Sequence, residues 1–293
     1  MPANSLIASE TRTLRPMLHP GSNPGRVTPA NLRRLADLTL PLKERIRSLL
    51  ALSPGQRVLD VGCGPGLDTA AVLPLVRPGG LVVGIDYDPS MIREARDRVR
   101  SKPPSSGVSH VVANAACIPY LDGTFDRCYS ERVLQHTTGP AAVVGEMVRV
   151  TKSGGTVVVA DTDWATLSID TSAVATERAL VRFVGDTLCN GYAGRQLRRL
   201  LAENNLTDVH VEMWPIVWTD YATFRATSLS LLDMDQRAVR AGALSAAALD
   251  RFYETLADAD RRGAFFASGA VVIARGRKTI DRYSTSAHVQ EQS

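Results

Sequence analysis

The sequence predicts an α/β fold: a doubly wound, mostly parallel sheet of seven strands with helices on both faces. Three observations predict it. Short apolar runs alternate with helical segments through residues 57–165, which is typical of parallel strands buried on both faces. The first run, Val58 to Val61, is followed by Gly62, Gly64 and Gly66 directly before a helix. With 293 residues, 44% hydrophobic and 22% charged, the chain can bury a core of ordinary size.

Residues 1–50 are predicted to form a flap and two helices that cap the core. The first 26 residues are rich in Pro, Ser and Asn, which is typical of a mobile segment. Thr28-Pro29 supplies an N-cap and a proline at the first helical position, and opens the helix ANLRRLADLTL. A second helix, LKERIRSLLAL, follows Pro41 and ends at the Ser-Pro-Gly of residues 53–55.

Residues 51–165 are predicted to form the core domain with five strands. Strand one, Arg57–Val61, leads through the glycine loop into the helix Leu67–Val76, which Pro74 shortens or kinks. Strand two, GGLVVGID, ends at Asp86, and the Asp-Pro-Ser that follows starts the helix MIREARDRVR. Strand three is VSHVVANA and strand four is FDRCYS. The helix GPAAVVGEMVRV then leads through a turn at residues 152–155 into strand five, TVVVAD.

Residues 166–278 are predicted to complete the sheet and to add a helical cap over a substrate. Residues 172–204 and 220–262 have helical patterns, LTDVHVEMW predicts strand six, and GAVVIARGRK predicts the last strand. The polar residues 279–293 are predicted to form a disordered tail.

Charge and composition narrow the class of partner to a small molecule. The net charge is only +4, and basic residues alternate with acids at helical spacing, as in Arg93, Glu94, Arg96 and Asp97. That pattern indicates a solvated helix face, so we expect no nucleic-acid partner. No apolar stretch approaches the roughly 20 residues of a membrane span, and no signal-peptide pattern is present. We therefore expect no membrane partner and a cytoplasmic location, and the sequence leaves a homodimer open.

The four cysteines are predicted to be free thiols. Cys63, Cys117, Cys128 and Cys189 form no CxxC pair and have no neighbouring histidine at zinc spacing. We therefore expect no metal site and a reducing compartment.

The glycine loop raises the question of which ligand it holds. A dinucleotide fingerprint, GxGxxG, would need its third glycine at Leu67, one residue after Gly66. The strand before the loop contains Asp60, whose carboxylate would repel a pyrophosphate but would attract an ammonium group. A ligand with a nucleoside at one end and an amino acid at the other fits better. S-adenosylmethionine is such a ligand.

Several motifs in sequence order support this interpretation. VLDVGCGPG is followed by VVGIDYDPSMIREAR, then by NAACIPYLDGTFDRCYSERVLQH and VTKSGGTVVVAD. Together they closely resemble the class I S-adenosylmethionine-dependent methyltransferases, in the group of the ubiquinone/menaquinone methylases and many natural-product methylases. The resemblance is strong over roughly residues 50–165 and covers the rest only in outline. It implies the Rossmann-like methyltransferase fold and S-adenosylmethionine as cofactor, with S-adenosylhomocysteine as product.

The resemblance also implies which residues bind the cofactor. Asp86 would accept both ribose hydroxyls, Asn114 would bind the adenine amino group, and Arg132 would pair with either the methionine carboxylate or Glu131. Asn114 departs from the family, which often has Asp there, but an amide can both donate and accept. The full set consists of Asp60, Gly62, Cys63, Gly64 and Gly66 at the methionine end, Asp86, Tyr87, Asn114 and Ala115 at the adenosine end, and Glu131 and Arg132 near the sulfonium.

Two side chains are candidates for a catalytic base. His136 follows strand four in RVLQH, where a neutral imidazole could deprotonate a hydroxyl, or the residue could simply cap a loop. Asp163 follows strand five in ADTDW and could act as a base or as a substrate anchor. A base is needed only where the acceptor carries a proton of high pKa. Methyl transfer otherwise depends on aligning the acceptor with the methyl group.

The acceptor is predicted to be small and largely apolar or aromatic, because aromatic residues gather in the C-terminal half of the chain. They could equally form the core of the cap. Tyr192 and Arg195, in CNGYAGRQL, are predicted to bind a polar substrate group. The candidate acceptor-binding residues are Trp164, Tyr192, Arg195, Trp214 and Trp218, with Met213, Tyr221 and Phe224 nearby.

The function that follows is methyl transfer to O, N or C of such a metabolite, in secondary metabolism or quinone-like biosynthesis. A nicotinamide-dependent oxidoreductase is the weaker alternative, since Leu67 and Asp60 oppose it and no Tyr-x-x-x-Lys pair is present. An RNA or protein methyltransferase would need the Asn/Asp-Pro-Pro-Tyr tetrapeptide, which is absent. A cofactor-binding cyclase or other non-methylating protein on the same fold stays open.

Overall fold

The computed structural model describes residues 38–100, 107–228 and 233–280. The predicted flap, most of the first predicted helix and nearly all of the predicted tail lie outside these ranges. The helices are α1 (Leu40–Leu50), α2 (Leu67–Val76), α3 (Pro89–Arg100), α4 (Pro140–Val150), α5 (Val174–Thr187), α6 (Ala193–Glu203), α7 (Tyr221–Thr227), α8 (Met234–Arg240) and α9 (Ala246–Arg261). The strands are β1 (Arg57–Val61), β2 (Leu81–Asp86), β3 (Val108–Val112), β4 (Phe125–Glu131), β5 (Thr151–Ile169), β6 (Leu206–Trp218) and β7 (Ala267–Lys278).

The seven strands form one sheet in the order β3-β2-β1-β4-β5-β7-β6. The five strands from β3 to β5 are parallel, and β7 runs antiparallel to both β5 and β6. This confirms the predicted mostly parallel α/β sheet. The strand order reverses between β1 and β4, and ligands of open α/β sheets bind in the crevice at the carboxyl ends of the strands at such a point.

Helices cover both faces because side chains alternate along each strand. Val58 faces a cluster with Leu42, Ile46 and Leu50 of α1, whereas Leu59 faces the opposite cluster, which includes residues of α4 and α6. Both faces of β1 are therefore covered by helices, which explains why the sequence of this strand is mostly apolar.

Strand β5 corrects the sequence prediction. The sequence predicts that it ends near Asp161, but it continues to Ile169 and begins at Thr151, so the predicted turn at residues 152–155 lies inside it. Its pairing with β4 stops at Ala160, whereas its pairing with β7 continues to Ile169. The hydrogen bonds to β7 are what extend the strand past the edge of β4. Asp163 consequently lies within the strand rather than after it.

Four helices form a second hydrophobic cluster beside this extension. Residues from α5, α7, α8 and α9 pack together with Leu167, Ile169 and Trp218 of the sheet. The helical patterns predicted at 172–204 and 220–262 are confirmed in type, but each is interrupted: the first separates into α5 and α6, the second into α7, α8 and α9. Among the described residues, no helix combines the length and apolarity needed to cross a lipid bilayer.

Candidate functional site

The glycine loop, residues 62–66, is held against β2 by main-chain hydrogen bonds. The N–H groups of Gly62 and Cys63 donate to the carbonyl oxygen of Ile85 at 2.8 and 2.9 Å. Gly62 has a φ of +76°, and a Cβ atom there would lie 2.2 Å from Cγ2 of Val133. Glycine is therefore required at this position by close packing as well as by backbone conformation.

Gly64 and Asp86 join the tip of the loop to the end of β2. Gly64 N–H donates to Asp86 Oδ2 at 2.9 Å, and Asp88 N–H donates to Asp86 Oδ1 at 2.9 Å. Burial raises the pKa of Asp86 above its ordinary value, although both N–H donors act in the opposite direction. The Asp86 carboxylate is therefore held in place at the carboxyl end of β2, beside Gly64, which has a φ of +52°.

An ion-pair cluster lies on the other side of the loop and includes a residue of α1. Lys43 Nζ donates to Asp68 Oδ2 at 2.5 Å and to Glu131 Oε2 at 2.7 Å, and Arg132 donates to Glu131 Oε1 at 2.7 Å. Burial alone would raise the pKa of Glu131, but the adjacent Arg132 and Lys43 outweigh it and hold the pKa below its ordinary value. Arg132 thus pairs with Glu131, one of its two expected partners.

Asp60 adds a buried carboxyl group next to this cluster. Tyr129 Oη donates to Asp60 Oδ2 at 2.8 Å. Burial raises the pKa of Asp60 well above its ordinary value, and the negative charge of Asp68 contributes in the same direction. A ligand cation close to these acids would stabilise the charged carboxylates and so would lower the pKa of Asp60 again. The acids therefore fit a ligand with an ammonium or sulfonium group at this end.

The residues expected at the adenosine end lie at the edge of the same crevice. The Tyr87 side chain is 58% exposed and immediately follows Asp86. Asn114 is exposed, and its Oδ1 accepts a hydrogen bond from Ala116 N–H at 2.9 Å, which fixes the short turn after β3. An exposed aromatic ring, a carboxylate and an amide together fit a nucleoside with a free diol.

A separate cavity lies where β5, β6 and β7 extend past β4. Its cavity volume is about 70 Å³, and the space including the open mouth is about 660 Å³. Most of its wall area is apolar, and its lining residues Arg132, Gln135 and His136 come from the segment that follows β4. The other lining residues are Thr162, Asp163, Trp164, Thr166, Leu167, Ile216, Trp218, Thr227, Ser228, Gly269, Ala270 and Val271.

Comparison with known proteins identifies the family. A family model described as a methyltransferase domain matches residues 59–159. An uncharacterized 37.1 kDa protein of transposon TN4556 from Streptomyces fradiae is 34% identical over 244 residues, which are 83% of this chain and 68% of that protein. The chain belongs to the class I S-adenosylmethionine-dependent methyltransferases. Its cofactor is S-adenosylmethionine.

Two named relatives match the core of this methyltransferase. Methyltransferase GfsG of Streptomyces halstedii is 35% identical over 133 residues, 45% of this chain and 47% of that one. The ubiquinone/menaquinone biosynthesis C-methyltransferase UbiE of Pasteurella multocida is 36% identical over 105 residues, 36% of this chain and 39% of that one. The chain therefore matches less than half the length of either relative.

Solved structures share the fold of the methyltransferase. The YcgJ protein of Bacillus subtilis has a TM-score of 0.58 and 19% identity, covering 81% of this chain and 97% of that one. The [4+2]-cyclase SpnF has a TM-score of 0.51 and 20% identity, covering 82% and 80% of the two chains. At these identities the likeness concerns the fold alone.

One part of the cavity wall in this methyltransferase belongs to a short 3₁₀ turn, Leu134–His136, which Asp161 holds in place. Asp161 Oδ2 accepts hydrogen bonds from the N–H groups of Leu134 at 2.7 Å and Gln135 at 3.4 Å. Burial raises the pKa of Asp161 to about 7, although these N–H donors act in the opposite direction. Asp161 is thus a positioning residue; the sequence marks it, with Asp163, as an acid at the end of strand five but gives it no role.

Asp161→Ala is expected to lower the free energy of unfolding by about 1–3 kcal/mol, because buried N–H groups of the turn lose their acceptor. Asp161→Asn retains a carbonyl oxygen and should cost less. Urea denaturation of both variants measures the difference. Equal stabilities of Asp161→Ala and the unmodified protein would show that the turn does not depend on this carboxylate.

A chain of hydrogen bonds fixes the tautomer of His136, that is, which ring nitrogen carries the proton. The Trp164 indole N–H donates to Gln135 Oε1 at 2.8 Å, and since an indole only donates, the oxygen of the Gln135 amide must face Trp164. The NH₂ group of Gln135 then faces His136 Nε2 at 3.2 Å. In the neutral ring Nε2 is therefore the acceptor, and Nδ1 carries the proton. Burial, together with the charge of Arg132, lowers the pKa of His136 to about 4.

Asp163 forms a bidentate ion pair with Arg195. Arg195 Nε and Nη2 donate to the two carboxylate oxygens at 2.7 and 2.9 Å. The Arg195 guanidinium lies 5.2 Å from the centre of the Tyr192 ring, and Tyr192 Oη donates to Asp186 at 2.5 Å. Tyr192 and Arg195 thus have protein partners, and neither lines the cavity.

The structure brings His136, Asp163, Trp164 and Trp218 together at the cavity but places Trp214 elsewhere. Trp214 packs against the cluster that contains α1. Sequence reasoning missed further functional positions, because helical spacing and loop composition do not show which side chains cross to a distant strand. These positions are Lys43, Asp68, Gln135, Asp161 and Ser228.

Proposed function

We propose that the enzyme transfers a methyl group from S-adenosylmethionine to a small, largely apolar or aromatic metabolite held in the cavity. The observation that carries the proposal is that the cavity shares a wall residue with the acid cluster. Arg132 belongs both to the acid cluster that fits the cationic end of the cofactor and to the wall of the cavity. When bound, S-adenosylmethionine supplies a methyl group on a positively charged sulfur. The cavity would hold the acceptor next to that end.

The cofactor would be bound along the crevice between β2 and β4. Asp86 would accept hydrogen bonds from the ribose hydroxyls, and Tyr87 would lie against the adenine, beside Asn114 and Ala115. Asp60 and Glu131 would face the methionine end. The fixed carboxylate of Asp86 and the buried carboxyl group of Asp60 support this orientation.

The helices of the second cluster would form a cap over the acceptor. Trp218 joins the two regions: it lines the cavity, and its Nε1 donates to Thr227 Oγ1 of α7 at 2.9 Å. Its ring also contacts Phe224 edge to face, with 5.5 Å between ring centres. An aromatic wall of this kind favours a flat or apolar acceptor and excludes water.

We further propose that the acceptor atom is a carbon or a neutral nitrogen, which needs no strong base. The lone pair of His136 Nε2 is engaged by Gln135, and a pKa of about 4 makes the imidazole a weak proton acceptor near pH 7. Both oxygens of Asp163 are engaged by Arg195. The relative UbiE is named a C-methyltransferase, which is consistent with carbon as the acceptor, and a role in secondary metabolism or quinone-like biosynthesis is part of this proposal.

His136→Ala and Asp163→Asn are each expected to lower turnover by less than about tenfold, with cofactor affinity unchanged. A general base contributes roughly 10² to 10⁴ in rate, and the contacts of both residues disfavour that role. Steady-state kinetics with cofactor affinity measured alongside provides the test. If either variant turns over about a hundredfold more slowly, or worse, that residue is the base and a hydroxyl acceptor is favoured.

The overall proposal is tested with a metabolite library and isotopically labelled S-adenosylmethionine. Mass spectrometry should detect labelled methyl in an apolar product and an equal amount of S-adenosylhomocysteine. A product formed without consumption of the cofactor would instead support the non-methylating alternative on this fold.

A further inference from the structure

The polar groups in the wall of the cavity are mostly paired with each other. Thr166 Oγ1 donates to the Asp163 carbonyl oxygen at 2.6 Å and accepts from Ala270 N–H at 2.9 Å. Thr227 Oγ1 donates to the Thr223 carbonyl oxygen at 2.7 Å while accepting from Trp218. Each of these hydroxyls already donates one hydrogen bond and accepts another, so neither can donate a hydrogen bond to a ligand.

Ser228 differs from them. It directly follows α7, lines the cavity and is only 2% exposed. Its N–H donates to the Phe224 carbonyl oxygen at 2.9 Å, which fixes the backbone. Its hydroxyl, however, is buried and has no hydrogen-bond partner within residues 38–100, 107–228 and 233–280. Of the buried side-chain polar atoms that lack a partner in those ranges, the hydroxyl of Ser228 is the one whose residue lines the cavity.

A buried hydroxyl without a partner is unfavourable, because the group has lost its water and gained nothing in exchange. Such a group in a binding cavity acquires a partner when the ligand carries a complementary atom there. The surrounding wall consists largely of Trp164, Leu167, Ile216 and Trp218, which bind apolar surface. The cavity therefore combines an apolar frame with a buried, unpaired hydroxyl at Ser228.

We propose that Ser228 is a specificity-determining residue whose hydroxyl donates a hydrogen bond to an oxygen of the acceptor, such as a carbonyl on an apolar ring system. This inference rests on the proposed function, since it assumes that the cavity is the acceptor site. A site built to hydrogen-bond a ligand oxygen discriminates against the analogue that lacks it, because the protein group is then left unpaired.

The test compares two probes that share a frame, 2-acetylnaphthalene and 2-ethylnaphthalene. Equilibrium dialysis against the full-length protein saturated with S-adenosylhomocysteine gives both dissociation constants without turnover. The unmodified protein is expected to bind the ketone about 2- to 13-fold more tightly than the hydrocarbon, the range that a neutral hydrogen bond provides. Ser228→Ala should lose this preference by weakening the ketone alone.

Ser109→Ala is the matched control, because the Ser109 hydroxyl is also buried without a partner but does not line the cavity. It should keep the preference for the ketone. A preference that survives in Ser228→Ala, or its absence from the unmodified protein, would overturn the role of Ser228 and leave the proposed function standing. If neither probe binds the S-adenosylhomocysteine complex, the role of Ser228 and the proposed function are both overturned, since the cavity would then not be an acceptor site.

Discussion

Gly64→Val is expected to abolish detectable binding of S-adenosylmethionine while the protein remains folded. Gly64 lies at the tip of the glycine loop with a φ of +52°, and its N–H donates to Asp86 Oδ2 at 2.9 Å. A β-branched side chain would strain this backbone and would occupy the space that a ligand needs to reach the main chain. Isothermal titration calorimetry measures the affinity, and circular dichroism verifies the fold.

The matched control for this prediction is Gly263→Val. Gly263 has a φ of +66°, and nothing lies within 4 Å of a Cβ atom placed there. Both variants therefore carry a comparable backbone strain, roughly 1–2 kcal/mol for an L-residue in the left-handed region. Only Gly64→Val should lose the cofactor. Normal binding by folded Gly64→Val would show that the glycine loop has a structural role only.

Asp86→Ala is expected to weaken cofactor affinity by about 1.5–3 kcal/mol, or roughly 10- to 150-fold, the usual range for hydrogen bonds to a charged group. The variant removes the acceptor proposed for the ribose hydroxyls and also releases the N–H groups of Gly64 and Asp88. Asp86→Asn keeps one carbonyl oxygen but loses the charge, so its affinity should lie between those of Asp86→Ala and the unmodified protein.

The order of the three affinities distinguishes binding from folding. A variant that only loosens the loop would lower the melting temperature and the affinity together. If Asp86→Ala keeps the affinity of the unmodified protein, the assignment of Asp86 to the ribose is wrong. Because burial raises the pKa of Asp86, the affinity should also fall as the pH is lowered through that pKa, since the protonated carboxyl offers fewer acceptor positions.

The cofactor half of the site was largely predictable from the sequence. Strand β1, the glycine loop and Asp86 are adjacent in the chain or separated by one α/β unit. Their relative placement follows from the parallel pairing of β1 with β2. The packing roles of the glycines were not predictable: a Cβ atom on Gly66 would lie 2.9 Å from both Ala95 Cβ and His110 Nε2, and neither contact can be read from the loop itself.

The ion pairs of the candidate site depended on contacts between distant segments. Lys43 reaches Glu131 across 88 positions of the chain, and Arg195 reaches Asp163 across 32. These ion pairs occupy oxygens of both carboxylates, and the hydrogen bond from Gln135 occupies the lone pair of His136 Nε2. The type and position of a residue in the sequence indicate which chemical roles its side chain could have. Its hydrogen-bond and ion-pair partners, which depend on the fold, determine which of those roles remain available.

The sequence by itself determined the fold class, the position of the glycine loop and the cofactor, because alternating apolar runs and short-range motifs act through neighbouring backbone. Only the tertiary structure decided the length of β5, the separation of Trp214 from the cavity and the unpaired hydroxyl of Ser228. The extension of β5 depends on hydrogen bonds to β7, between 98 and 111 residues later in the chain. Because a cavity forms only where such segments meet, its shape and its unfilled hydrogen bonds are properties of the packed chain rather than of any local stretch of sequence.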